Sequence, residues 1–282
     1  MKHHSSNCAR IIILVIALAA ASAHAGDLSF VPHGLLFRPL TANTFEPKVG
    51  FTVQSGENKL DLDIGNSIDL VQYTTDSIAV SFGADFFTYT FLRGESNFHF
   101  PVDASDYLFG FNINVFKDHP TGTVAARLRL SHISAHFVDG HYDGTNQMWK
   151  DNENPHVYSR EFLDFTLAVE PSLLKRNLRA YVGAMYLFHV DPRGLSRWSA
   201  TVGGEYHNEV TGNINLYAAY QANYMNVIEA STRHDIQAGV KLGPWAGRGV
   251  KFFASYFNGY NIHGEYFDQK EKYTGFGMNI DF

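Results

Sequence analysis

The chain has 282 residues, of which 45% are apolar, 15% aromatic and only 18% charged, a composition that excludes a disordered polymer. A formal net charge of −6 offers no basic footprint for phosphates and argues against a nucleic-acid partner. The apolar residues are spread evenly among Asn, Ser, Thr, Gly and acids, and mean hydropathy is slightly negative, which no helical membrane bundle shows.

The first element reads as an export signal over residues 1–25. Lys2 and Arg10 flank a polar start, residues 11–20 form an apolar core, and Ala23-His24-Ala25 supplies an A-x-A cleavage site. An apolar run of about 12 residues is too short to cross a hydrocarbon layer that needs about 20. Cleavage after Ala25 removes Cys8, the only cysteine, together with Lys2 and Arg10. It leaves 20 basic side chains against 28 acidic and no thiol or disulfide chemistry. Residues 26–46 are expected to form a periplasmic N-terminal segment, and residues 47–282 a transmembrane antiparallel β-barrel.

The barrel reading rests on alternation. Near the C-terminus, Phe276, Met278, Ile280 and Phe282 share one parity and Gly275, Gly277, Asn279 and Asp281 the other, so one strand face is apolar and the other small or polar. The pattern repeats in about twelve runs, at 47–56, 58–73, 77–93, 105–119, 122–140, 157–171, 177–191, 197–209, 214–226, 233–245, 249–261 and 272–282. Most reach 11 residues, long enough to cross a bilayer with tilt, and the inward parity is polar in nearly every run, the reverse of a soluble barrel. With both termini periplasmic, the long connections 94–104, 141–156 and 262–271 all fall on the extracellular side. The aromatic end, Phe282, resembles the terminal signature through which outer-membrane barrels meet their assembly machinery. The expected partners are that machinery and outer-membrane lipids.

The lumen is expected to be largely filled. Arg127, Arg129, Asp164 and Glu170 have inward parity, and the chosen register sets Arg127 opposite Glu170; lining a wet channel is the alternative role for these groups. No Walker loop, CxxC or HExxH is present. His132 and His136 lie about 13 Å apart along a strand, too far to share one metal ion. Asp139, His141 and Asp143 offer cation ligands on a loop that reads more simply as hydrated. No metal or other cofactor is assigned.

The run 127–136 carries the chemistry. Leu128 and Leu130 face lipid, and by the same parity so do His132, Ser134 and His136. Polar groups there are costly and need a reason. Proximity to headgroups is one such reason. Nucleophilic catalysis is another: a serine two residues from a histidine on one face can be activated by it, and the substrate on that side is a lipid ester. Glu161 has lipid-facing parity on the next strand and falls opposite His136 in the expected register, so it leads as the orienting acid, with Asp139 and Asp143 as loop alternatives.

The spacing His132-x-Ser134 resembles the H-x-S of the outer-membrane phospholipase A and lipid A deacylase families. Both place serine and histidine on the lipid side of a barrel near the outer leaflet. Ala135 departs from the Asn of those families, and the pair Ser134 with His136 is the other possible order. A broader resemblance runs through Phe37-Arg38-Pro39-Leu40-Thr41-Ala42, residues 127–140 and Tyr158-Ser159-Arg160-Glu161, which are similar to a family of exported bacterial proteins described only as a domain of unknown function. That resemblance implies the compartment and the barrel and no activity. Three readings follow: a barrel in the cell outer membrane with a non-enzymatic role, a lipid acyl-ester hydrolase using Ser134, and a small-solute pore.

Overall fold

The computed structural model describes residues 26–152, 154–155, 157–226 and 228–282; the expected signal peptide and Cys8 lie outside them. In chain order the strands are β1 (Asp27–Phe30), β2 (Val49–Gln54), β3 (Lys59–Thr74), β4 (Ile78–Arg93), β5 (Val102–His119), β6 (Gly122–Phe137), β7 (Tyr142–Asp143), β8 (Met148–Trp149), β9 (Tyr158–Pro171), β10 (Leu178–Asp191), β11 (Trp198–Thr211), β12 (Ile214–Asn226), β13 (Ala230–Leu242), β14 (Gly249–Tyr260) and β15 (Lys270–Asp281). Setting aside β1 and the small β7–β8 ribbon, twelve strands each pair antiparallel with their neighbours. The ring closes where β15 pairs β2 from Gly275↔Gln54 to Ile280↔Val49. Closure satisfies the backbone groups that an open sheet would leave bare. Short β2 ends before β3 does, and β1 takes over the free edge of β3 at residues 71–74.

Period two explains which face each side chain takes. On β4, Phe82 and Phe86 point outward and Asp85 and Phe87 inward; on β9, Leu163, Phe165, Leu167 and Val169 point outward and Phe162, Thr166 and Ala168 inward. The outer surface is therefore a continuous apolar band. The connections at one end, 75–77, 120–121, 172–177, 212–213 and 243–248, are short. Those at the other end include 94–101, 138–157 and 261–269.

The lumen is filled by the chain itself. From Leu36 to Lys48 the chain runs inside the barrel, so that most of the segment 26–46, expected to be periplasmic, lies within the lumen. Leu36 N–H donates to Asp69 of β3 at 2.7 Å, Thr41 N–H to Glu205 of β11 at 2.9 Å, and Arg179 of β10 donates to the Arg38 carbonyl at 2.9 Å. Glu46 joins Arg127 and Arg129 of β6, and Arg233 of β13 lies over the Phe45 ring. One segment can reach this many strands only from within. Polarity favours the placement: Arg233, Arg129 and Arg179 have carboxylates on barrel strands, in Asp235, Asp85 and Glu205, whereas Arg127 is paired by Glu46 of the segment, and Phe37 fits between the Arg127 and Arg179 guanidiniums, each 4.5 Å from its ring.

From the other end, the loop 261–269 folds in. His263 is buried between Asp61 of β3 at 3.2 Å and Asp106 of β5 at 3.6 Å, and Gly264 N–H donates to Asp106 at 2.7 Å. A Cβ on Gly264 would come within 2.2 Å of the Tyr158 ring, so only glycine permits this approach. Burial alone would lower the His263 pKa, but the two carboxylates outweigh it and push it up to about 10.

Beneath this loop the interior is apolar. Phe87, Tyr89, Leu108, Ile133, Tyr158, Phe162, Leu187 and Val190 form one buried cluster, joined by Phe45, Ile262 and Phe267. The inward parity, expected to be polar in nearly every run, is polar in the middle of the barrel and at the end that residues 36–48 enter. At the loop end the inward residues meet protein instead of water.

Candidate functional site

The outward-facing polar group sits where β6, β9 and β10 approach the long-loop end. β6 ends at Phe137, five residues beyond His132, and β9 begins at Tyr158, three residues before Glu161. Toward the opposite end the same faces carry Leu128, Leu130, Leu163 and Phe165, all exposed. The polar residues thus stand at the rim of the apolar band.

Outward parity is observed for His132, Ser134 and His136, whereas Arg127, Arg129, Ser131, Ile133 and Ala135 of the same strand are buried inside. The β6–β9 register differs from the expected one by four residues. Arg127 lies opposite Thr166 rather than Glu170, and Glu161 lies opposite His132 rather than His136. The reason is the connection 138–157, which contains β7, β8 and two short 3-10 turns and imposes no hairpin register. The expected Arg127–Glu170 pair is accordingly absent. Arg127 binds Glu46, while Glu170 binds Arg38 and lies 3.7 Å from Arg179.

This register brings His132 and Glu161 together on the outward face. Glu161 Oε1 lies 2.7 Å from His132 Nδ1, so in the neutral ring Nδ1–H donates to the carboxylate and Nε2 is left as the basic nitrogen. Ser134 lies two residues along the same face, about 6.6 Å at a rise of 3.3 Å per residue. Among the described residues His132 is hydrogen-bonded to Glu161 and not to Ser134, so a Ser134–His132 bond would require a change of side-chain rotamer. Phe109 lies tilted beside the His132 ring with centroids 5.0 Å apart, and Ser159, the register partner of Ser134, donates to Glu161 Oε1 at 3.5 Å. His136 stays outside this group. It stands beside Tyr107, and the β6–β9 ladder ends one residue before it.

His189 joins the group although its parity assigns it to the lumen. A bulge between Leu187 and His189 shifts β10 so that His189 turns outward, 56% exposed on its side chain, while Val190 returns inside at 8%. Its Nδ1 meets Glu161 Oε2 in an ion-pair contact, and its Nε2 lies 3.6 Å from Asp191. Nothing in the alternation marks the bulge, so the sequence signal for His189 is absent.

The loop candidates do not converge. Asp139 lies in a 3-10 turn, His141 is buried against Phe137 and Tyr266, and Asp143 accepts the amides of Thr145 and Asn146. Hydrogen bonds from the Asn146 side chain and then from the Asn146 and Thr145 amides hold the Asp143 carboxyl below its usual range. Among the described residues no group of three His, Cys, Asp or Glu side chains is placed to hold a metal ion.

A family model described as "Protein of unknown function (DUF1207)" matches residues 11–282. The chain belongs to this family. Comparison with curated protein sequences yields no match. Among solved structures, the DUF1207 chain is similar to outer membrane phospholipase A from Escherichia coli, with 14% identity, a TM-score of 0.55, and coverage of 86% of this chain and 93% of that one. It is also similar to the Salmonella typhi outer membrane phospholipase, described as a dimer with bound calcium, at 15% identity and a TM-score of 0.56 over 88% and 94% of the two chains. At this identity the likeness establishes the fold of the DUF1207 chain, an outer-membrane type of twelve-stranded barrel, and leaves its chemistry to the residues themselves.

Proposed function

We propose that this protein resides in the outer membrane and hydrolyses acyl esters of lipids, with Ser134 as nucleophile, His132 as general base and Glu161 as the group that orients His132. The observation that carries the reading is the His132–Glu161 hydrogen bond beside Ser134, on the outward face at the rim of the apolar band. Ionisable groups on a surface in contact with lipid are costly, and two of them, His132 and Glu161 on adjacent strands, set beside Ser134 match the requirements of an activated serine. The similarity of fold to outer membrane phospholipase A supports the same reading.

In this scheme Ser134 Oγ attacks the acyl carbonyl as its proton passes to His132 Nε2. The imidazolium, balanced by Glu161, then protonates the departing alcohol oxygen and leaves an acyl-serine. Water attacks that ester with His132 again taking the proton, and Ser134 is regenerated as fatty acid departs. The filled lumen disfavours a small-solute pore, since residues 36–48 and 261–269 occupy its two ends.

The test is fatty-acid release from phospholipid or lipid A in mixed micelles by the purified protein, with and without calcium. Ser134→Ala should abolish release while retaining the faster migration of the unheated barrel on gels. Equal release by wild type and Ser134→Ala, or none by either, would refute the proposal.

A further inference from the structure

The Glu161 carboxylate is gripped from two strands. His132 of β6 and His189 of β10 are both register partners of Glu161, one on each side of β9, and they meet different oxygens of the same carboxylate. Two features show that this is built rather than incidental. The β10 bulge at Phe188 shifts the pairing by one residue, so that His189, Val190 and Asp191 all take the parity opposite to the strand before it and His189 comes to lie outward beside Glu161. His189 is itself restrained, since Asp191 lies 3.6 Å from its second nitrogen. A glutamate has three rotatable bonds, and on an exposed face contacts to Oε1 alone, from His132 and more distantly Ser159, do not fix it. A second contact at Oε2 holds the carboxylate in the orientation in which Oε1 faces Nδ1 of His132.

We infer that His189 is a positioning residue for hydrolysis: it fixes Glu161, which in turn fixes the tautomer and aim of His132. The inference rests on the hydrolase reading above for its kinetic consequence, but its structural content is independent of that reading. His189 touches neither Ser134 nor the ester, so its loss should lower kcat and leave KM nearly unchanged. The expected drop is about tenfold to a hundredfold, the range associated with misaligning a catalytic group. Asn places an amide N–H where the imidazole carries Nδ1, so His189→Asn should recover most of the activity that His189→Leu loses.

The experiment compares wild type, His189→Leu and His189→Asn in detergent micelles by two readouts. The first is kcat and KM for phospholipid hydrolysis. The second is the downfield proton resonance of His132 Nδ1–H in its bond to Glu161, assigned by its loss in His132→Ala and so distinguished from any resonance of His189 itself. A fall in kcat with KM unchanged, loss of the resonance in His189→Leu and recovery of both in His189→Asn would support the inference. An unchanged resonance in His189→Leu, or a His189→Asn variant as impaired as His189→Leu, would overturn it. If wild type releases no fatty acid while the resonance still depends on residue 189, the hydrolase reading fails and the positioning contact stands. The heat-dependent gel shift of each variant confirms that its barrel has formed.

Discussion

Glu46 is the residue on which the packing of residues 36–48 should most depend. It is 2% exposed, accepts hydrogen bonds from both terminal nitrogens of Arg127, and accepts another from Arg129 at 3.1 Å. In Glu46→Ala, Arg129 keeps Asp85 at 2.9 Å, but Arg127 loses its only ion-pair partner among the described residues. Removing one partner of a buried pair costs about 3–5 kcal/mol. Arg127 retains its stacking on Phe37, so the lower end applies, and about 3 kcal/mol shifts the balance between seated and released segment by roughly a hundredfold. Conductance in planar bilayers should be small for wild type and rise for Glu46→Ala, and amides within 36–46 should exchange with solvent roughly a hundredfold faster. The double variant Glu46→Ala/Arg127→Ala should recover part of the loss, because no unpaired charge is then left inside. Unchanged conductance and exchange in Glu46→Ala would refute the ion-pair account of the filled lumen.

Three further outcomes are expected. His132→Ala should lower lipid hydrolysis by at least about a hundredfold, while His136→Ala, outside hydrogen-bond reach of Glu161, should change it less than about twofold; the reverse order would place the base wrongly. Raising the His263 pKa in the folded protein stabilises the inward-folded loop fully below the unfolded value of 6.5, and that contribution is lost as pH rises through about 10. Unfolding temperature in detergent should therefore fall across this window more in wild type than in His263→Gln, and parallel curves would exclude the His263 contribution. The mature chain should resist extraction by carbonate and urea, and recovery as a soluble monomer would contradict an integral barrel.

Alternation made the twelve strands and their outward faces legible, because one lipid-facing surface imposes period two along every crossing. The outward placement of His132, Ser134 and His136 was readable for the same reason. Register across the connection 138–157 was not, since a long loop does not fix pairing as a two-residue hairpin does, and the four-residue difference exchanged His136 for His132 as the partner of Glu161. The packing of residues 36–48 inside the barrel leaves no periodic trace. Its signals, a Phe-Arg-Pro-Leu run and an isolated Glu46, acquire meaning only once Arg127, Arg129 and Arg179 are known to face one lumen. His189 was hidden by a bulge, which reverses parity without marking the sequence.

Reaction with a fluorophosphonate serine probe tests the proposed chemistry most directly, because it reports nucleophilicity at one atom without requiring the substrate to be known. Purified barrel in mixed micelles should label once, at Ser134, and labelling should disappear in Ser134→Ala and slow strongly in His132→Ala. Equal labelling of wild type and Ser134→Ala, or none in either, would contradict the account and leave the outward His132–Glu161–His189 group as a polar belt at headgroup level.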